Sequence, residues 1–293
     1  MSAAEVPRPR IPLDLASLTA HLVGRGWGGP LPRYVITTGS TNVDLVAMLR
    51  AVESEGSDVA DPAVPDWTVL VADDQNAGRG RLDREWLVPP RAALTWSMVV
   101  RPAGLVNGAW GWLPLVVGLG VVEGLRNVSL DRLALKWPND VVVDSPGRDG
   151  VAGPRKLGGV LIERVPMRAN QAPVAVVGVG LNVDQVVDEL PTGTATSLRL
   201  EGRPTTRERV LADVLVAIRF RVDQWRRDGW GIEGVRRDYS KACLSIGVEV
   251  RVMRHALPDF VGRATHLDHE GALVVQGVQG SISVSAGDVL HLR

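Results

Sequence analysis

A length of 293 residues allows about two domains, and 45% apolar residues is the ordinary content of a soluble globular protein. The 33 Lys and Arg residues balance 33 Asp and Glu, so the net charge is zero. That balance excludes a broad basic footprint for nucleic acid or anionic membrane, and any polyanion contact must be local.

Cys243 is the only cysteine, so no intrachain disulfide forms, which fits a reducing compartment. Residues 1–5 carry neither a cationic n-region nor an apolar h-region. The most apolar stretch, 113–122, contains Pro114, Gly118 and Gly120 and is too short to cross a bilayer. These features predict a cytoplasmic protein without membrane contact.

In chain order, residues 12–24 read as a short helix capped by Asp14, with Leu15, Leu18 and Leu22 on one face. A Gly/Pro-rich connector covers 24–32. A strand over 33–38 precedes Ser40-Thr41-Asn42, which opens a helix. Thr41-Asn42-Val43-Asp44 has the outline of a capping box, with Val43, Val46 and Leu49 as the apolar stripe. Residues 53–66 form a polar loop. Strands follow at 67–73, 93–100, 133–136, 141–144, 157–163 and 173–180. Residues 110–126 form a buried helix, regular only beyond Pro114. The Pro/Gly/charged insertion 145–154 reads as a mobile surface hairpin. Thr205-Thr206-Arg207-Glu208 is a capping-box pattern, and residues from Val210 to Trp225 keep helical spacing. From about Ile246 short alternating strands separated by glycines predict a small all-β barrel. This divides the chain into an N-terminal helix and connector (1–32), a main domain (33–245) and a C-terminal domain (246–293).

Two cationic runs stand at strand edges. Gly78-Arg79-Gly80-Arg81-Leu82-Asp83-Arg84-Glu85-Trp86 follows the apolar run 67–72. Glycines there let the backbone bend close to a guest while guanidiniums grip its oxygens. Lys136-Trp137-Pro138-Asn139-Asp140 lies between two short strands. Lys136, Lys156 and Lys241 are the only lysines. Arginine excess reads as codon bias, but two of the three lysines lie inside motifs, where a compact point charge has a use. Ser40, Thr41 and Asn42 are ordinary N-cap residues that can also face a ligand. Gly158 and Gly159 mark either a bulge or a backbone laid against a flat ring.

Taken together, these runs resemble the biotin protein ligases. Lys156-Leu157-Gly158-Gly159-Val160-Leu161-Ile162-Glu163, Gly178-Val179-Gly180-Leu181-Asn182 and Ser40-Thr41-Asn42 occur in that family's order over roughly residues 34–200, and Ser285-Ala286-Gly287-Asp288-Val289 is similar to its terminal domain. The resemblance implies an α+β fold: a mixed, mainly antiparallel sheet flanked by helices, like the catalytic domain of class II aminoacyl-tRNA synthetases, plus a small C-terminal SH3-like β-barrel. It implies ATP-dependent formation of biotinyl-5′-AMP, then biotin transfer to a lysine of a biotin carboxyl carrier domain. Lys136 and Arg81 take the catalytic positions. Ser40, Thr41, Asn42, Gln75, Arg79, Gly80, Arg81, Lys136, Gly158 and Gly159 fall at biotin-contacting positions. Arg81, Arg84, Trp86, Lys136, Asn139, Lys156 and Asn182 fall on the ATP side, and Asn139 and Asp140 are candidate Mg²⁺ ligands.

Asp83 stands where the family commonly has glycine, and it can pair with the flanking arginines and soften their field. Residues 76–86 are expected to be mobile in the free protein and to close over the adenylate. A lipoate–protein ligase shares the related fold, and some family members are DNA-binding repressors. Only some 30 residues precede the first catalytic strand, too few for a winged helix, so no specific DNA partner is expected. No Gly-Lys-Ser/Thr phosphate loop and no Gly-x-Ser-x-Gly elbow occurs. Gly24, Gly26 and Gly29 have dinucleotide-fingerprint spacing without the strand–turn–helix context. His266 and His269 are too sparse for zinc.

Overall fold

The computed structural model describes residues 9–54, 64–82, 84–128, 130, 132–144, 153–168, 171–254, 257–285 and 287–292. Residues 145–152 of the hairpin expected at 145–154, most of the 53–66 loop and Asp83 lie outside these residues.

Seven strands form the main sheet: β1 (Arg33–Thr38), β2 (Val69–Gln75), β3 (Ala93–Val100), β4 (Leu133–Lys136), β5 (Asp140–Val143), β6 (Arg155–Val165) and β7 (Val174–Asn182). Their spatial order is β1-β2-β3-β7-β6-β5-β4. Only β1 and β2 pair in parallel, and every other neighbour pair is antiparallel. Such a sheet is the mixed, mainly antiparallel one implied by the sequence. Strand β3 is buried along its whole length, because one face meets α2 (Thr41–Ser54) and the other meets the layer built on α3 (Leu113–Leu125). Two apolar clusters result, a small one around Leu45 and Leu49 and a large one on the opposite face.

Helix α3 packs on α4 (Arg207–Arg227). Glycines cost about 1 kcal/mol each inside a helix, yet two are needed here. A Cβ on Gly120 would stand 2.6 Å from the Ile218 Cα, and one on Gly124 would stand 2.5 Å from the Val214 Cα. The helix backbones therefore meet without intervening side chains. Short 3₁₀ turns flank α3, so the continuous run Asn107–Val128 has 22 residues, with an 18-residue stretch of mean hydropathy 1.4. That is longer than the sequence suggested and long enough to span a bilayer by length and composition, but 72% of that 18-residue stretch is buried inside the protein, as in a core helix.

Helix α1 (Leu15–Gly24) starts at Asp14, whose carboxylate accepts the N–H groups of Ala16 and Ser17. Two other expected caps differ. Thr41 is already helical. Its backbone N–H and its hydroxyl both donate to Gln75 Oε1, at 2.8 and 3.0 Å, while Asp44 takes the Thr38 hydroxyl. Among the described apolar side chains of α2, Leu45 and Leu49 are fully buried, whereas Val43 stays exposed. At α4 the cap is Thr206. Glu208 instead accepts the Asp14 backbone N–H at 2.8 Å, tying α1 to α4.

Helix α5 (Ile232–Ala242), which periodicity did not single out, leads into the C-terminal sheet of β8 (Glu249–Met253), β9 (Phe260–Leu267), β10 (Leu273–Gly277), β11 (Gly280–Val284) and β12 (Asp288–His291). All pairs are antiparallel, in the order β11-β10-β9-β8-β12. Val250, Val252, Leu267 and Leu273 join the large cluster of the main sheet. The apolar core thus runs unbroken into the small SH3-like sheet.

Candidate active site

A cavity of about 250 Å³ opens over β2, β3, β7 and β6, bounded by the start of α2 and by the β4–β5 turn. Its two ends differ in chemistry. At one end Thr41, Gln75, Ser97 and Asn42 form a buried polar chain. The Thr41 and Ser97 hydroxyls lie 2.6 Å apart, and Ser97 Oγ donates to Asn42 Oδ1 at 2.6 Å. Asn42 Nδ2 donates to Glu163 Oε1 at 2.9 Å. The amide is thereby fixed in one orientation. Burying such groups is tolerable only because each finds a partner.

The other end is cationic. Among the described residues lining it, Arg79, Arg81, Arg84, Lys136 and Lys156 face only two carboxylates, Glu85 and Asp140. The arginine run folds as a tight hairpin. Gly80 N–H donates to Arg84 O at 2.6 Å, Trp86 N–H donates to Gly78 O at 2.9 Å, and the backbones of Arg79 and Glu85 form an antiparallel bridge. Leu82 turns the hairpin with φ of 55°, a left-handed conformation uncommon outside glycine. Arg81 points inward, and its Nη1 lies 3.4 Å from Asn139 Oδ1. Arg79 and Arg84 are exposed. Burial pushes the Arg81 guanidinium below its ordinary range, opposed by Asp140 and reinforced by Arg84.

Lys136 ends β4, half-buried in this cavity. Desolvation lowers its affinity for a proton, Asp140 acts in the opposite sense, and Lys156 and Arg84 add to the lowering. The chain around it is clamped from behind. Trp137 N–H donates to Ser245 Oγ at 3.0 Å, Trp137 Nε1 donates to Gly271 O at 3.1 Å, and Leu244 N–H donates to Leu135 O at 2.8 Å. The segment joining the two sheets therefore holds the lysine's backbone. Met253, Gly287, Val289 and Leu290 of the C-terminal sheet complete the wall.

Most of the residues singled out in the sequence meet here: Ser40, Thr41, Asn42, Gln75, Arg79, Gly80, Arg81, Arg84, Trp86, Lys136, Asn139, Asp140, Lys156 and Gly159 all line the one cavity. Two do not. A Cβ on Gly158 would point at the neighbouring strand, 2.5 Å from Gly180 O, so this glycine serves β6–β7 packing. Asn182 is buried, donating to Thr196 O at 2.9 Å and accepting from Gln185 Nε2 at 2.8 Å, and it braces the loop beyond β7. The glycines that admit close approach are instead Gly178, where a Cβ would meet Asn42 Oδ1 at 2.4 Å, and Gly180, where it would meet the Trp86 indole at 2.6 Å.

The metal expectation also changes. Asp140 is ion-paired to Lys156 at 2.6 Å, and the Asn139 amide is held between Arg81 and Val160 O. Both oxygens already face cations. Among the described residues no cluster of three His, Cys, Asp or Glu is placed to hold a metal.

Sequence reasoning missed Thr95, Ser97 and Glu163. The signal was present in β3, where Thr95 and Ser97 are small polar residues two apart in an otherwise apolar strand and therefore share a face.

The chain matches the family model described as the Biotin/lipoate A/B protein ligase family over residues 57–182. It is 38% identical to a biotin–[acetyl-CoA-carboxylase] ligase of Mycobacterium tuberculosis over 289 residues, 98% of each chain. It is 26% identical to the bifunctional ligase/repressor BirA of Bacillus spizizenii, over 83% of this chain and 71% of that protein. A solved biotin protein ligase from Aquifex aeolicus, in complex with biotin and ATP, superposes with a TM-score of 0.68 at 26% identity, covering 89% of this chain and 98% of that one. With near-complete coverage at that identity, a shared fold and motifs gathered around one cavity, the chain belongs to the biotin protein ligase family.

Proposed function

We propose that this cavity joins biotin to ATP and passes the activated acyl group to a lysine of a biotin carboxyl carrier domain. The convergence of Lys136 and Arg81 with the Thr41–Gln75–Ser97–Asn42 chain on one cavity carries this reading. Biotin's ureido ring offers one carbonyl acceptor and two N–H donors, and the hydroxyl and amide end supplies matching groups. Its carboxylate then lies at the cationic end. In the first step a carboxylate oxygen bonds to the α-phosphorus while the bond to pyrophosphate breaks. An anion is driven onto a polyanion, so fixed positive charge counts for more than a base. Lys136 follows the charge between carboxylate and α-phosphate, and Arg81 and Arg84 take phosphate oxygens. Mg²⁺ arrives as part of the Mg–ATP substrate. In the second step the carrier lysine's neutral amine bonds to the acyl carbon, the acyl C–O bond to phosphate breaks so that AMP leaves with the electron pair, and one amine proton passes to water.

The test is incubation of the protein with biotin, Mg–ATP and a carrier domain, read by intact mass. The carrier gains one biotinyl group, lipoate in place of biotin gives none, and Lys136→Gln abolishes biotin-dependent ATP–pyrophosphate exchange. Lipoylation without biotinylation, or near-normal exchange in the variant, would overturn the reading.

A further inference from the structure

Glu163 stands behind the cavity wall and touches the polar end through Asn42. The Asn42 side chain reaches from Ser97 on β3 to Glu163 on β6. It lies across Gly178 of β7, the strand between them, where a Cβ would collide with its amide. A carboxylate only accepts hydrogen bonds, so the group facing Glu163 Oε1 at 2.9 Å has to be Asn42 Nδ2. Turned over, the amide would set its own oxygen against the carboxylate. Asn42 Oδ1 therefore faces Ser97 and claims the one hydroxyl hydrogen of that residue, at 2.6 Å. Ser97 Oγ is left with lone pairs, so its 2.6 Å contact with Thr41 has to use the Thr41 hydrogen. Gln75 is set from the other end: its Oε1 accepts the Thr41 backbone N–H, which leaves Nε2 as the group it can offer a ligand. Both hydroxyls are buried, and both spend their hydrogens inside the protein. Toward a ligand they can only accept. Resting on the ligase reading above, we infer that Glu163 is a specificity-determining positioning residue. It polarises the chain so that the pocket admits a ring with N–H donors beside Thr41 and Ser97 and rejects an isosteric ring with an acceptor there. Without the carboxylate Asn42 can turn, Nδ2 can donate to Ser97 Oγ, and the released Ser97 hydrogen can meet an acceptor on the ligand.

Calorimetric titration without ATP tests this with biotin, desthiobiotin and the two cyclic carbamates in which oxygen replaces one ureido N–H. The proteins are the parent, Glu163→Met, Glu163→Gln and Asn42→Ala. The parent should prefer biotin over at least one carbamate by about a hundredfold or more, because a buried acceptor built for an N–H is left facing another acceptor. Glu163→Met should narrow that preference by roughly tenfold, the effect of relieving one buried hydrogen-bond mismatch. Asn42→Ala frees the Ser97 hydrogen by another route and should narrow it as well, so the test stands even where Glu163→Met does not fold. Glu163→Gln keeps an oxygen that can face Asn42 Nδ2 and should stay near the parent. Desthiobiotin carries the same ureido ring as biotin, so the preference between these two should hold in all four proteins, which a merely loosened pocket would not achieve. A carbamate preference in Glu163→Met or Asn42→Ala equal to the parent's, or a narrowing that desthiobiotin follows, would overturn the inference. Failure of the parent to bind biotin would sink the ligase reading instead, so the two failures are distinct.

Discussion

Ser245 Oγ lies 2.9 Å from His291 Nε2 and accepts the Trp137 backbone N–H from the other side. One fully buried hydroxyl thus joins the last strand, β12, to the residue that follows Lys136. A hydroxyl that donates to an imidazole nitrogen needs that nitrogen unprotonated. Burial, helped by repulsion from Lys136, pushes the His291 imidazole down to about 4 from its ordinary 6.5.

The sign of the resulting pH dependence follows from linkage. Between about pH 6.5 and pH 4 the unfolded chain has bound a proton at His291 and the folded chain has not. The unfolded state binds more protons there, so stability falls as pH is lowered through that window, and this group adds no further loss below it. Thermal melts from pH 7 to pH 4 should show the parent losing more stability than His291→Gln, which does not titrate. Parallel losses in the two proteins would refute the coupling.

Glu163 reaches the cavity only through Asn42, whose amide it orients together with Ser97. Removing one partner of a buried hydrogen bond costs about 1–3 kcal/mol, so Ser97→Ala and Glu163→Ala should each weaken biotin binding by roughly tenfold. ATP binding should hold, since the polar chain lies at the opposite end from the cations. Calorimetric titration with each ligand separates the effects, and equal losses for biotin and ATP would point to general unfolding.

The strands were legible because alternation and β-branched runs report burial directly, and β3 and β4 fall where the pattern puts them. The cationic residues were legible because charge beside an apolar run is rare and Lys136 sits in a distinctive five-residue run. What the sequence hid was partnership across the fold. The acid of a capping box looks the same whether it caps its own helix or, like Glu208, accepts from Asp14 far away. Glycine runs gave no direction, so Gly158 and Gly180 were indistinguishable until the sheet order set Gly180 under Trp86. Asp140 read as a metal ligand because its ion pair with Lys156 crosses from β5 to β6 and has no local signature.

Gly180 offers a steric test of the indole wall. A methyl group there would stand 2.6 Å from the Trp86 ring, a separation that forces the ring off the sheet. Gly180→Ala should raise the KM for ATP by about tenfold or more, while a reduced-size partner, Gly180→Ala with Trp86→Leu, should fold normally but not recover affinity. If ATP binding is unchanged in Gly180→Ala, Trp86 is not part of the nucleotide wall.

Arg81 spans the mouth of the cavity. Its guanidinium runs from the arginine hairpin to Asn139 on the β4–β5 turn. Arg81→Gly removes both the tether and a half-buried cation of the cavity. The adenylate, less tightly held and no longer covered, should then leave before the carrier arrives. Adding an unrelated lysine-rich protein to the reaction should show this as biotin on the bystander, roughly ten- to hundredfold above the parent if one strong charge-assisted contact of roughly 1.5–3 kcal/mol is lost. Biotin-dependent pyrophosphate release should persist, since Lys136 remains. A variant that labels only the carrier would show that closure of this loop does not retain the intermediate.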